Sequence, residues 1–97
     1  MNYAETIAND APGFLRFLKT RFMLIHASNL FYRDLLAGVV QYLHQKGTVV
    51  DSRTAGATTI ALAGLLETRG IFKRIDHQTW LLNFPEFALP RQEKATA

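Results

Sequence analysis

The chain contains no cysteine and little of what common active sites are built from. The missing cysteine excludes disulfide bonds, thiolate chemistry, iron–sulfur clusters and zinc sites that depend on cysteine. Serine occurs only as Ser28 and Ser52, and neither lies in a GxSxG motif. The glycine-rich phosphate loops GxGxxG and GxxxxGK(S/T) are absent as well. The sequence therefore predicts a protein that is not an enzyme and that carries no cofactor.

Metal-binding and acid–base patterns are also missing. The three histidines, His26, His44 and His77, form neither an HxH nor an HExxH motif. The 8 acidic residues are scattered, and no pair is spaced to place two carboxylates across one substrate. We predict no metal site. A ligand or catalytic site would need a pocket that brings one histidine against an acid such as Asp34, and this alternative stays open.

Long hydrophobic runs are absent. The longest uncharged apolar run, Phe22 to Phe31, is too short to span a bilayer. The first residues, MNYAETIANDAPG, carry two acids and no basic segment, so no secretory signal is expected. A chain of 97 residues, 48% hydrophobic and 20% charged, has room for one folded core. We expect a soluble, cytoplasmic, single-domain protein without a membrane partner.

Apolar residues at helical spacing predict three helices. The first runs from Phe14 to about His26, the second from about residue 30 to Gly47, and the third from about Ser52–Gly56 to Gly70. The first helix is apolar on two faces, so both faces need cover. A 97-residue monomer has limited surface with which to cover them.

Two short β-prone runs follow the third helix. Ile71–Ile75 and Thr79–Asn83 flank the polar turn Asp76-His77-Gln78 and predict a hairpin. Thr48–Val50 is a possible third strand. The predicted fold class is α+β, with three helices and a C-terminal two- or three-stranded antiparallel sheet. We expect a flexible lead-in at residues 1–11, one domain at 12–90 and a flexible tail at 91–97.

The cations give a mildly basic chain, with net charge +3 and a pI near 9.6. That balance is compatible with a polyanionic partner and equally with a solvated basic surface. Four cations flank the third helix and the first hairpin strand: Arg53, Arg69, Lys73 and Arg74. They would form one basic edge if the strand folds back along the helix. Alternatively, such residues protect an exposed strand edge from pairing with another chain.

The segment Leu66–Arg74, LETRGIFKR, resembles the junction between recognition helix and wing in winged helix-turn-helix proteins. That family commonly shows Leu-Glu, a basic residue, Gly, two apolar residues and further basic residues at this point. The resemblance covers residues 30 to 84 and implies that the predicted hairpin corresponds to the wing of the family. It would make the predicted second helix the family's first helix and Thr48–Val50 its first strand. Too few residues then remain between Gly47 and Thr58 for a further helix, so Ser52–Gly56 supplies a vestigial turn or the arrangement differs.

The resemblance implies a nucleic-acid-binding module, with duplex DNA as candidate partner. Thr54–Thr59, the first turns of the third helix, offer no Arg, Lys, Asn or Gln to read bases. Binding would therefore rest on phosphate contacts from Arg53, Arg69, Lys73 and Arg74, which are independent of sequence. The alternative is a protein–protein interaction or homodimerisation module, because surplus apolar helix surface marks protein partners.

Overall fold

The structure is a computed structural model, and it describes residues 2–89. Its helices are α1 (Tyr3–Ala8), α2 (Ala11–Lys19), α3 (Tyr32–Gln45) and α4 (Ser52–Thr68), and its strands are β1 (Asn29–Phe31), β2 (Phe72–Asp76) and β3 (Thr79–Leu82). A single 3-10 turn, Pro85–Phe87, follows the last strand. The predicted α+β class is confirmed. No helix within this part of the chain is long and apolar enough to cross a membrane.

The N-terminal region differs from the lead-in predicted for residues 1–11. It contains α1, whose N-cap is Asn2: the Asn2 side-chain oxygen accepts a hydrogen bond from the Glu5 backbone N–H at 3.1 Å. Ile7 is fully buried, and Ala4 and Ala8 lie in the same core. A six-residue helix is too short to show a hydrophobic period, so only tertiary packing reveals it. The tail predicted at 91–97, and Pro90 at the domain boundary, lie outside the described residues.

The first predicted helix, Phe14 to about His26, is too long. Helix α2 stops at Lys19, and Phe22 and Leu24 reach the core from the loop that follows. The helix begins earlier than predicted because Asp10 caps it, accepting from the Gly13 N–H at 3.3 Å. Apolar residues in that loop mimic helical spacing without forming a helix.

The third strand is not at Thr48–Val50, where the structure has no strand. It is β1, which pairs antiparallel with β3 and places Leu30 opposite Trp80. The sheet order is β1-β3-β2. Residues 29–31 look like the beginning of the α3 stripe in the sequence, and their strand partner lies about fifty residues further along the chain.

The predicted hairpin is confirmed. Strands β2 and β3 pair Phe72 with Leu82 and Arg74 with Trp80, and a bulge follows Arg74. The inner face of the sheet packs on α4, where Phe72, Trp80 and Leu82 share the core with α4 leucines. One long helix and a hairpin are therefore fixed side by side.

Candidate interaction surface on helix α4

Helix α4 is defined at both ends by local chemistry. The Asp51 side chain accepts from the Thr54 backbone N–H at 2.7 Å, and this bond holds the pKa of Asp51 below its usual range. After Arg69, Gly70 adopts φ +77°, a conformation in which glycine avoids the strain of a side chain. The result is a helix of 17 residues, about 25 Å long, with one side in the core.

The outer face of α4 is almost uncharged. Its exposed residues are Arg53, Ala57, Ile60, Ala61, Gly64 and Thr68. Ile60, in the middle of this face, leaves 64% of its surface exposed. A Cβ atom placed on Gly64 would meet no atom within 4 Å, so packing inside the chain does not require glycine there. A mid-helix glycine costs roughly 1 kcal/mol relative to alanine.

Two grooves flank this outer face. The α1–α4 groove, about 520 Å³, is lined by residues of both helices, among them Tyr3, Ala4, Ala57 and Ala61. The hairpin groove, about 280 Å³, lies between the start of α3, the middle of α4 and the β2–β3 turn. Its walls are Tyr32, Ile60, Arg74, His77, Gln78 and Trp80. Ile60 therefore forms part of the wall of the hairpin groove and still leaves most of its side chain exposed.

Glu67 holds the hairpin against the end of α4. Its Oε2 accepts from the Trp80 indole N–H at 2.8 Å and from Arg74 Nη2 at 2.7 Å. The Arg74 guanidinium also lies 5.3 Å from the centre of the Trp80 ring. The indole hydrogen bond, followed by the contact with Arg74, lowers the pKa of Glu67. The cluster therefore fixes one wall of the hairpin groove.

Two of the four predicted nucleic-acid-binding cations are engaged inside the chain. Arg74 is paired with Glu67. Arg69 donates to the backbone oxygen of Ala8 and to Asn9 Oδ1, so it caps the C-terminal end of α1. Both side chains hold elements of the fold together.

The other two cations lie apart from this pair. Arg53 is in the first turn of α4 and Arg69 follows its last residue, so their backbones are about 24 Å apart along the helix. Lys73 alternates with Arg74 along β2 and therefore projects from the opposite sheet face, next to His26 and Asn83. The four do not form the single basic edge that we considered. Their role in nucleic-acid binding remains a prediction.

The histidines lie at separate places. His26 Nδ1 accepts from the Phe84 backbone N–H at 3.0 Å, His44 is exposed near the end of α3, and His77 is in the hairpin turn. Among residues 2–89, no three His, Asp or Glu side chains are grouped to hold a metal ion. His77 lines one depression of about 460 Å³ together with Asp76, and the alternative of a histidine–acid site stays a prediction.

Sequence reasoning overlooked the centre of this surface. Ile60 stands in the run TTIALAG, which is apolar on all sides and hides which positions face solvent. Tyr32 lies in the predicted second helix and Trp80 in a predicted strand, and nothing in the sequence indicates that both line one groove. Comparison of the chain with protein-family models, curated proteins and solved structures returned no match.

Proposed function

We propose that this protein is a small, non-enzymatic interaction domain of winged-helix type, which binds a protein through the outer face of α4. The order of elements supports the winged-helix assignment. A helix-turn-helix needs two helices before the wing, and α3 and α4 supply them, joined by residues 46–51. In this assignment α3 takes the place of the helix before the recognition helix, and not that of the family's first helix as the sequence suggested. No further helix then has to fit between Gly47 and Thr58. The hairpin that follows Gly70 takes the place of the wing.

The exposure of Ile60 in an uncharged helix face is the observation that carries the proposal. A large aliphatic side chain, 64% exposed, is surrounded by Ala57, Ala61 and Gly64 and flanked by two grooves. Protein interfaces have cores depleted of charge, and they use such side chains as anchors. Duplex DNA instead requires several cations directed at phosphates, and this face carries Arg53 alone.

Site-specific photocrosslinking tests the proposal. A benzophenone amino acid replaces Ile60 in one variant and His44, exposed on α3, in a control variant. The full chain is irradiated in its cell of origin, and the adducts are identified by mass spectrometry. We expect a defined protein adduct at position 60 that position 44 does not give, and that Gly64→Arg abolishes. Equal labelling at both positions, or a nucleic-acid adduct at position 60, would contradict the proposal.

The nucleic-acid alternative is tested directly with the purified chain. Fluorescence anisotropy with a labelled duplex at low salt gives phosphate contacts their greatest strength. We expect no saturable binding. Saturable binding that weakens when Arg53 and Lys73 are replaced by alanine would favour the nucleic-acid hypothesis over the protein one.

A further inference from the structure

The segment that follows β3 covers part of the core, and we call residues 84–87 the strap. It contains the 3-10 turn. Phe87 is 4% exposed and belongs to the hydrophobic core, and Phe84 packs against that core. The two rings meet edge to face, with their centres 4.8 Å apart. If the strap left this position, both aromatic side chains would become exposed to solvent, which the hydrophobic effect opposes.

His26 holds the strap through two hydrogen bonds. Its backbone N–H donates to the Phe87 backbone oxygen at 3.1 Å, and its imidazole Nδ1 accepts from the Phe84 backbone N–H at 3.0 Å. Nδ1 can accept only while it carries no proton, so the bonded imidazole is neutral and bears its hydrogen on Nε2. A proton on Nδ1 would turn this acceptor into a donor, and two N–H groups would then face each other.

The backbone next to His26 is held in an unusual conformation. Ala27 adopts φ +68°, a region that residues other than glycine rarely populate. The Ala27 N–H donates to the Leu82 oxygen at 2.7 Å, and the Ser28 oxygen accepts from the Leu82 N–H at 2.9 Å. Such a conformation persists where surrounding contacts fix it. Strand β3 therefore fixes the backbone from which the imidazole reaches the strap.

The charge that faces His26 from the sheet favours the neutral imidazole. A depression of about 170 Å³ beside His26 is lined by Lys73 of β2, and a second positive charge there would be repelled. The other residues that line this depression come from the end of β3 and the residues next to it, and they are uncharged. No acid of the described part of the chain lines it to stabilise an imidazolium.

The charged groups around the strap itself are already engaged. Glu86 of the strap pairs with Arg16 of α2 at 2.7 Å, and the hydrogen bond from Arg16 holds the pKa of Glu86 below its usual range. At the end of α2, Lys19 donates to the Leu24 oxygen and lies over the Phe87 ring. Between about pH 5 and 8, histidine is the side chain whose charge ordinarily changes. His26 is therefore the contact of the strap that responds to mild acid.

We infer that His26 is a pH-sensitive latch, which holds the strap at neutral pH and releases it when the imidazole takes up a proton at mildly acidic pH. The proton goes to Nδ1, and the hydrogen bond from Phe84 is lost. Because the released state is the one that binds the proton, the strap is held fully above the pH at which a free histidine titrates, about 6.5, and opens as the pH falls below it. The latch does not involve the outer face of α4, so it is independent of the proposed function.

Amide hydrogen exchange of the purified full chain tests the latch. Exchange is followed by NMR between about pH 7.5 and 5.5, and each rate is divided by the intrinsic rate at the same pH. Uptake of one proton on release should lower the protection of the Phe84 and His26 amides about tenfold over this range. The amide of Leu62, in α4, should keep its protection. Constant protection at Phe84, or an equal loss at Leu62, would overturn the inference.

Two substitutions separate the proton from the hydrogen bond. In His26→Asn the amide Oδ1 takes the place of Nδ1, so the side chain can still accept from Phe84 but does not titrate. Its strap should stay protected at both pH values. His26→Ala lacks the acceptor, and its strap should already be open at about pH 7.5. His44→Ala, at an exposed position of α3, is the matched control and should keep the wild-type pH dependence. Wild-type pH dependence in His26→Asn would refute the latch.

The tautomer of His26 provides a test that needs no substitution. In nitrogen-15 NMR spectra of the wild-type imidazole at about pH 7.5, Nδ1 should have the chemical shift of a nitrogen without a proton, and Nε2 that of a protonated one. The opposite tautomer would show that Nδ1 does not accept from Phe84, and the latch would be excluded.

Discussion

Replacing Glu67 by alanine should weaken the contact between the hairpin and α4. The indole N–H of Trp80 loses its acceptor, while Trp80 is only 2% exposed, so an unsatisfied donor stays buried. That loss costs about 1–3 kcal/mol. The pair with Arg74, whose side chain is 45% exposed, adds less than about 1 kcal/mol. We expect Glu67→Ala to lower the free energy of unfolding by about 2 kcal/mol, which is about 10 °C in Tm for a domain of this size.

Trp80 is the single tryptophan of the chain, so its fluorescence reports on the site directly. Thermal and urea unfolding followed by indole emission, with far-UV circular dichroism as second probe, measures the change. Glu67→Gln is the matched control because its amide oxygen still accepts from the indole; it should cost less than half as much. Equal losses for alanine and glutamine would show that the indole hydrogen bond does not matter.

Protonation of Glu67 at acid pH should remove the stabilisation that its carboxylate provides. Because the folded-state pKa of Glu67 is lowered, its stabilisation is complete above the unfolded value, about 4.3. It disappears as the pH falls through the lower, folded-state pKa. The stability difference between wild type and Glu67→Gln should therefore shrink below about pH 4. Other acids, such as Asp51, also have lowered pKa values. They contribute equally to the stability of wild type and of Glu67→Gln, so the stability difference between the two proteins does not contain their effect. A difference independent of pH down to about 2 would contradict the assignment.

Two matched glycine substitutions should have opposite effects. Gly64→Ala should stabilise the isolated fold by about 1 kcal/mol, since the site is open. Gly38→Ala should destabilise it by about 1–3 kcal/mol, because the new Cβ would lie 2.0 Å from Leu18 Cδ2 in a packed core. Urea unfolding measures the change in the free energy of unfolding for both variants. Changes of the same sign would contradict the packing described around Gly38 and Gly64. Arg69→Ala should expose the end of α1 by removing the donor to the Ala8 oxygen. Hydrogen exchange should then quicken at Ala8 and not in α3, and unchanged protection at Ala8 would count against the capping role.

The sequence alone determined the parts of this protein that depend on local chemistry. Helix α4 ends at Thr68, just before Gly70, which adopts the positive φ that turns the chain away from the helix. The hairpin follows because two β-prone runs flank a polar turn. The absence of cysteine and of catalytic motifs depends on residue identity and needs no coordinates. These features are readable because each is encoded within a few neighbouring residues.

Tertiary structure decided the rest. Strand β1 forms because residues 29–31 pair with β3. Helix α1 forms because Ile7 is buried in the core and Arg69 caps the end of the helix. Strand β3 is far from β1 in the sequence, and Arg69 is far from α1. The positions of the four predicted cations also depend on the tertiary structure, although they look like one basic group in the sequence. Strand alternation separates Lys73 from Arg74, the length of α4 separates Arg53 from Arg69, and Glu67 neutralises Arg74. Which face of an apolar helix meets solvent depends on what packs against the other faces, so only the fold exposes Ile60.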